Sequence, residues 1–340
     1  MLTQNRNRAE ALISVILPVY NGASTIADAI SSIQQQSDPH WELILVDDGS
    51  TDDTYARVAA MADADSRLRL IQTAHGGIVS ALRTGISEAR GGFLARMDAD
   101  DISLAHRFTA QRQWFAAHPA GGLCGTGVVM TGSDIRSGRQ RYEDWLNGIQ
   151  AHCVVEQELF VECPIAHPTF MMTRSAYDAV GGYRDVSGPE DYDLVFRMWH
   201  AGYELGNVPD ACLHWQESSG RLSMNSPRYA ERAFRQLKRT WLRRLRTDDS
   251  RHLYQWGAGE VGKRWLREWN EGEVTAVVDI RPGKIGQQIH GVPVIATTAL
   301  PGPEDCFVVV MVGTPGARSL IRAWLGEAGY VECRDFRFFA

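Results

Sequence analysis

The sequence predicts an α/β protein: a mostly parallel, doubly wound sheet over the first two thirds, followed by a smaller Rossmann-like α/β domain. Three observations carry this expectation. Apolar runs that read as buried strands alternate with helical stretches from Ser14 onward, as in a parallel sheet covered on both faces. The polar run "RTDDSR", ending at Arg251, interrupts the alternation, which then resumes. The resumed part carries G-x-G-x-x-G between a strand and a helix.

In order, "LISVILPVY" is a strand and residues 24–36 have helical spacing. "WELILVDD" is the second strand, followed by a helix at "STDDT"; "RLRLIQT" is the third, with a helix running to Arg90; "GGFLARMD" is the fourth. A helix over 105–117, a strand through "GLCGTGVVMTG" and a helix over about 142–160 come next. "HPTFMMTRSAYDAVGGYRD" is a strand leading into a helix, "GPEDYDLVFRMWHAGY" a loop entering a helix, and "DACLHW" a closing strand. Residues 227–246 form one helix with Tyr229, Ala233, Phe234, Leu237, Trp241 and Leu245 along one face. The expected domains are 1–226, a basic amphipathic connecting helix in 227–250, and 251–340.

Composition narrows the function classes. With 340 residues, 44% apolar and 22% charged, the chain is long enough for a large domain plus a small one. A formal net charge of −6 argues against a nucleic-acid partner. The six cysteines are scattered without a C-x-x-C pair, which reads as reduced thiols in a cytoplasmic protein. The start, "MLTQNRNRAEA", lacks an apolar export core, and no apolar run reaches the ~18 residues of a membrane span.

The stretch "ARMDADDIS" poses the chemical question, since Asp98, Asp100 and Asp101 crowd three carboxylates into four residues. They would either cap a following helix or ligate a divalent cation that bridges a substrate diphosphate. One aspartate suffices for a cap, and three favour the cation. In open parallel sheets ligands bind beyond the carboxyl ends of strands, where this cluster and Asp47–Asp48 both fall.

"SVILPVYNG", "VDDGSTDDT", "ARMDADDIS" followed by "RF", "HPTFM", "GGYRD" and "EDYDL" stand here in one order. That ordered set resembles glycosyltransferase family 2, the inverting, nucleotide-sugar-dependent enzymes of the GT-A fold, over about residues 14–223. The resemblance implies that Pro18, Tyr20 and Asp48 hold the nucleotide, with a carboxylate suited to a uracil N–H. A helix cap at "DDGSTDD" is the competing reading of Asp48. The resemblance further implies that Asp98 lies near the ribose and that Asp100, in the family's D-x-D motif, ligates Mn²⁺ or Mg²⁺. Asp101 would orient neighbours or cap the helix. His214, ending "DACLHW", is the candidate third ligand or else a structural histidine.

Inversion by single displacement needs one general base. The family supplies it from the acidic pair matching Glu190–Asp191, with Asp191 as base and Glu190 supporting; a favourable helix dipole is the plain alternative. His167 would line the acceptor side, and Arg107 would contact donor phosphate or serve the fold. Arg83 stands where the family often has Asn. The loop "ESSGRLS" from Glu217 reads as a lid or as an ordinary connection. Acceptors in this family are often lipid-linked saccharides or lipopolysaccharide cores, so the basic helix would either lie on an anionic membrane surface or cover the catalytic domain with its polar face solvated.

In the C-terminal part, Gly257, Gly259 and Gly262 form the glycine motif and Asp279 ends the next strand. This part resembles small Rossmann-like domains attached to some saccharide-modifying enzymes, with about half of a full dinucleotide fold. A nucleotide site or a homo-oligomer contact is implied there. The whole reads as a metal-dependent inverting glycosyltransferase of cell-surface polysaccharide synthesis using a UDP-sugar. The rivals are a nucleotide-dependent oxidoreductase and a sugar-nucleotide binding module.

Overall fold

Aliphatic runs make the first two strands, and both are buried at every position: β1 (Ile13–Val19) and β2 (Trp41–Asp47). Between them α1 (Ile26–Gln34) turns Ile26, Ile30 and Ile33 into the core. The alternation continues through α2 (Thr54–Ala64), β3 (Leu68–Gln72), α3 (Ile78–Glu88) and β4 (Phe93–Arg96). The computed structural model describes residues 11–132, 137–217 and 226–340. By contact the chain divides into two units.

The first unit runs to Val155 and resumes over Pro164–Tyr229. After β4 come the short β5 (Ile102–Ser103), α4 (Arg107–Ala117) and the long β6 (Gly121–Thr131). Where one helix is expected over 142–160 there are two, α5 (Ser137–Asn147) and α6 (His152–Glu158). The break follows Asn147, whose amide pairs with Val128 of β6, accepting its N–H at 2.9 Å and donating to its carbonyl at 2.8 Å; Gly148 comes next. Then follow β7 (Met171–Thr173), α7 (Arg174–Ala179), α8 (Glu190–His200) and β8 (Glu204–Gln216). β8 is longer than "DACLHW" because the residues around Pro209 are absorbed by register shifts against β6, where a strand tolerates proline.

The strands order as β3-β2-β1-β4-β7-β6-β8-β5. The first four are parallel, and β7 runs antiparallel to β4 and β6. The carboxyl ends of β2, β1 and β4 therefore share one edge, which positions the site. Helix α3 packs tightly behind it: a Cβ added to Gly85 would stand 2.6 Å from Ile16 Cγ2.

The second unit is Glu156–Cys163 with Ala230–Ala340. It includes α9 (Glu231–Leu245), expected as a separate connector covering the catalytic domain. Several of its basic residues are taken up by partners within this unit, while Arg232, Arg243 and Arg244 are exposed. Arg235 pairs with Glu268, while Arg239 and Arg243 share Glu273; buried Lys238 donates to the Val161 carbonyl. Residues 227–229, expected in the same helix, form a separate 3₁₀ turn.

Next come β9 (His252–Trp256), α10 (Glu260–Leu266), β10 (Ala276–Val278), β11 (Gln288–Ile289), β12 (Val292–Ile295), β13 (Cys306–Val310), α11 (Ala317–Glu327) and β14 (Phe336–Phe338). The sheet order is β11-β12-β10-β9-β13-β14, parallel from β12 to β14. Leaving out the antiparallel β11, that is third-second-first-fourth-fifth, the Rossmann order, so the domain exceeds the half fold expected. Among the described residues no helix is long and apolar enough to cross a membrane.

Candidate active site

Asp48 follows β2 and is nearly enclosed. Its carboxylate accepts the N–H of Gly76 at 2.9 Å and of Gly77 at 2.8 Å, and His75 Nδ1 lies 3.0 Å away. It thus braces the turn that opens α3. It is not the cap of α2, where Asp53 stands at the N-cap. Half-exposed Tyr20 lays its ring 4.1 Å from that of His75, 30° from parallel. Pro18 is buried in β1 opposite Val46, and Asp47 closes its own loop by accepting Ser50 N–H.

The loops after β1 and β2 are stitched together by side chains. Asn21, at φ 53°, accepts Thr51 N–H at 2.8 Å, and its own N–H goes to Ser50 Oγ. Thr54 Oγ1 and Asp52 take the N–H groups of Gly22 and Ala23. A Cβ on Gly22 would sit 3.7 Å from that of Ala99, which places the acidic turn beside these loops.

Asp98, Asp100 and Asp101 converge, with one oxygen from each within 4.8 Å of the others. None caps a helix, because β5 intervenes and α4 starts only at Arg107. Part of the missing positive charge is internal: buried Arg96, the last residue of β4, forms an ion pair with Asp98. Burial opposes the Arg96 charge, but Asp98, then Tyr183 and Asp101, more than restore it, and its pKa lies above the ordinary arginine value. Sequence reasoning missed Arg96; the available signal was a cation inside an apolar strand two residues before Asp98. Arg107 is wholly buried and donates to the Arg96 carbonyl at 2.8 Å, so it serves the fold and not a phosphate.

Asp101 is fully buried, and its Oδ1 accepts Gln216 N–H at 2.8 Å. Burial, with Asp98 and Asp100 beside it, pushes its pKa well up. Its Oδ2 is buried and lacks a hydrogen-bond partner among the described residues. A group of three converging carboxylates, one of them with an orphaned buried oxygen, is a donor set that fits a hard divalent cation. His214 stands on β8 opposite Ile102 of β5, and the converging group does not include it.

Glu190 and Asp191 open α8, whose N-cap is Pro189. Glu190 is 1% exposed, and both its oxygens lie 2.9 Å from the Tyr229 hydroxyl. Burial raises its pKa, and its own backbone N–H, then the Tyr229 hydroxyl, pull only partly the other way. Asp191 is the more open of the two, its side chain 19% exposed. His167 lies in a 3₁₀ turn (His167–Thr169), with Nδ1 3.9 Å from Glu190 and 4.0 Å from Asp191. Its Nε2 is 2.7 Å from the Tyr183 hydroxyl. Burial first, then Arg96, holds His167 well below its usual pKa, so the ring is neutral. Arg83 lines a cavity of about 410 Å³ with Ser80, Asp185, Arg228 and Tyr229. Of the expected lid, residues 218–223 lie outside the described residues.

In the second unit the glycine motif takes its expected turn. Gly257 has φ +113°, and a Cβ on Gly262 would fall 1.9 Å from the Gly257 carbonyl oxygen. Gly259 has an ordinary extended backbone. Asp279 is occupied from within: it accepts Ala258 N–H at 3.0 Å, and Arg281 Nε and Nη2 bind its two oxygens at 2.8 and 2.6 Å.

Comparison with known proteins decides the family. A family model described as glycosyl transferase family 2 matches residues 14–181. The putative glycosyltransferase EpsE of Bacillus subtilis is 33% identical over 225 residues, covering 64% of this chain and 77% of EpsE. The chain belongs to glycosyltransferase family 2. A second family relative is WfgD of Escherichia coli, a UDP-Glc:alpha-D-GlcNAc-diphosphoundecaprenol beta-1,3-glucosyltransferase. It is 26% identical over 231 residues, covering 68% of this chain and 84% of WfgD. Residues 1–349 of Staphylococcus aureus TarS, solved with UDP-GlcNAc, share the fold. The TM-score is 0.55 at 17% identity, over 70% of this chain and 67% of that one. This family 2 chain is therefore a glycosyltransferase with a nucleotide-sugar donor and a GT-A fold.

Proposed function

We propose that this family 2 enzyme is metal-dependent and inverting, and that it moves a sugar from a UDP-linked donor to a saccharide or lipid-linked acceptor in cell-surface polysaccharide synthesis. The observation that carries this reading is the pairing of two different acidic groups, one converging with an orphaned oxygen and one opening a helix. Asp100, with Asp101 converging beside it, would hold Mn²⁺ or Mg²⁺, with His214 as a further ligand. Bound there, the cation supplies Lewis-acid stabilisation of the diphosphate charge.

The chain's own residues do the rest. Tyr20, backed by His75, offers an aromatic face to a base. Asp48, whose two oxygens also meet Thr73 Oγ1 and His75 Nδ1, would accept a base N–H as an acceptor-only carboxylate. Pro18 shapes this loop from within β1. Asp98, fixed by Arg96, would meet the ribose. Asp191 would accept the acceptor hydroxyl proton as that oxygen attacks the anomeric carbon and the bond from that carbon to the nucleoside diphosphate breaks, the diphosphate leaving with the electron pair. Buried Glu190 sits behind it as a like charge that sustains its basicity, and neutral His167 walls the same side. The activity for which WfgD is named supports a UDP-sugar and a lipid-diphosphate acceptor.

Redox chemistry in the second unit is disfavoured, since Asp279 is satisfied by Arg281 and Ala258. A sugar-nucleotide binding role for Gly257, Gly259 and Gly262, or a contact between copies, remains the secondary reading of that unit.

The test is thermal denaturation with UDP-, GDP- and dTDP-sugars, each with and without Mn²⁺. A donor that binds only the native state raises its stability, and the expected result is Mn²⁺-dependent stabilisation by a UDP-sugar that Asp100→Ala abolishes. Absence of any stabilisation by any of these donors overturns the donor assignment.

A further inference from the structure

The Ser226–Tyr229 segment has a job that family membership does not assign. Arg228 Nη1 donates to the carbonyls of Val186 at 2.7 Å and Gly188 at 3.2 Å, and its Nη2 pairs with Asp185 at 2.6 Å. These are the residues that lead into α8. Tyr229, one position on, aims its hydroxyl at Glu190, equidistant from both oxygens. One turn of chain thus grips both the approach to the acidic pair and the buried member of it.

We propose that Tyr229 is a positioning residue for sugar transfer: its hydroxyl keeps Glu190 a carboxylate beside Asp191, and Arg228 anchors the turn that delivers it. This rests on the reading of Asp191 as general base. Glu190 has lost its water, and burial favours its neutral form. The titratable and charged groups around it are Arg228 and Tyr229 from the segment, His167 from its 3₁₀ turn, Arg96 from β4, Tyr183 and Asp191. His167 is neutral, and besides Glu190's own backbone N–H the side-chain donor to its carboxylate is the Tyr229 hydroxyl. Without that donor Glu190 would hold its proton to higher pH, and Asp191 would lose the neighbouring charge that makes it basic.

Infrared difference titration of the ligand-free protein tests this directly, following the protonated-carboxyl band that Glu190→Gln removes. In Tyr229→Phe, which keeps the ring, the band should persist to a pH higher by about one unit. Arg228→Gln, which loosens the turn, should move it in the same direction by less. With whichever of UDP-, GDP- or dTDP-glucose supports release of its nucleoside diphosphate, Tyr229→Phe should lower kcat about tenfold at neutral pH, move the acid limb of kcat upward and leave the donor KM unchanged. An unshifted Glu190 band in Tyr229→Phe overturns the proposal, as does a loss of kcat with an unmoved acid limb. If no donor is turned over while the band shifts, Tyr229 still governs Glu190 and the donor assignment fails instead.

Discussion

The two units place an aspartate at the same topological point, just past the strand next to the first, and use it differently. In the first unit Asp48 receives two backbone N–H groups from the turn before α3 and has an uncommitted aromatic face, Tyr20 on His75, at its side. In the second, Asp279 is clasped by Arg281 through both oxygens, and Ala258 N–H completes the set. A carboxylate neutralised by its own chain holds a turn together; one held by amides, on the same sheet edge as three crowded aspartates, leaves charge for a ligand to answer. The position in the fold is shared, and the neighbouring side chains decide between scaffold and site.

The sharpest test of that contrast is a pair of substitutions. Asp191→Asn should cut kcat by about 10²–10⁴-fold while leaving the melting temperature close to wild type, whereas Asp279→Asn should leave sugar transfer nearly unchanged. Comparable losses of turnover in both would erase the distinction between the units. Next in size is Gly262→Ala, whose methyl would strike the Gly257 carbonyl. We expect destabilisation of about 1–3 kcal/mol, read by urea unfolding, with a preserved donor-induced shift in the first unit.

Asp279→Asn should itself cost about 1–2 kcal/mol, since Arg281 holds the Asp279 pKa down to about 2 against burial and is itself half exposed. The sign is that of a depressed carboxylate. The contribution is complete above its unfolded pKa of about 4 and fades as pH falls toward 2, so mutant and wild-type melting temperatures should converge on acidification. Glu190 is the opposite case and gives the smallest effect. Its raised folded pKa means stability is fullest at low pH and is lost as pH rises through that pKa. Glu190→Gln should therefore melt about 2–4 °C higher than wild type at pH 8, with the gap closing in acid, even as transfer is lost.

Much of this was legible in the chain itself. Continuous apolar runs marked β1, β2 and β13 because strands buried on both faces need no polar alternation. The acidic cluster announced itself because three carboxylates cannot crowd together without an answering charge. What stayed hidden were the long-range partners. Arg96 looked like one more residue of a strand, yet it pairs with Asp98 and its charge reaches Glu190. Tyr229 read as the apolar face of a helix, and it is instead the hydrogen-bond donor to Glu190 from a 3₁₀ turn. His75 gave no signal, because its partners Tyr20 and Asp48 come from different loops.

By itself, then, the sequence determined the alternation of elements, the family and the acidic groups at the strand ends, since those depend on local periodicity and on short ordered motifs. The tertiary structure alone decided which aspartates are already neutralised, which basic residues of α9 are spent on ion pairs, and which tyrosine meets the buried glutamate. Those outcomes hang on desolvation and on contacts between residues tens of positions apart, and neither is written in any local stretch of the chain.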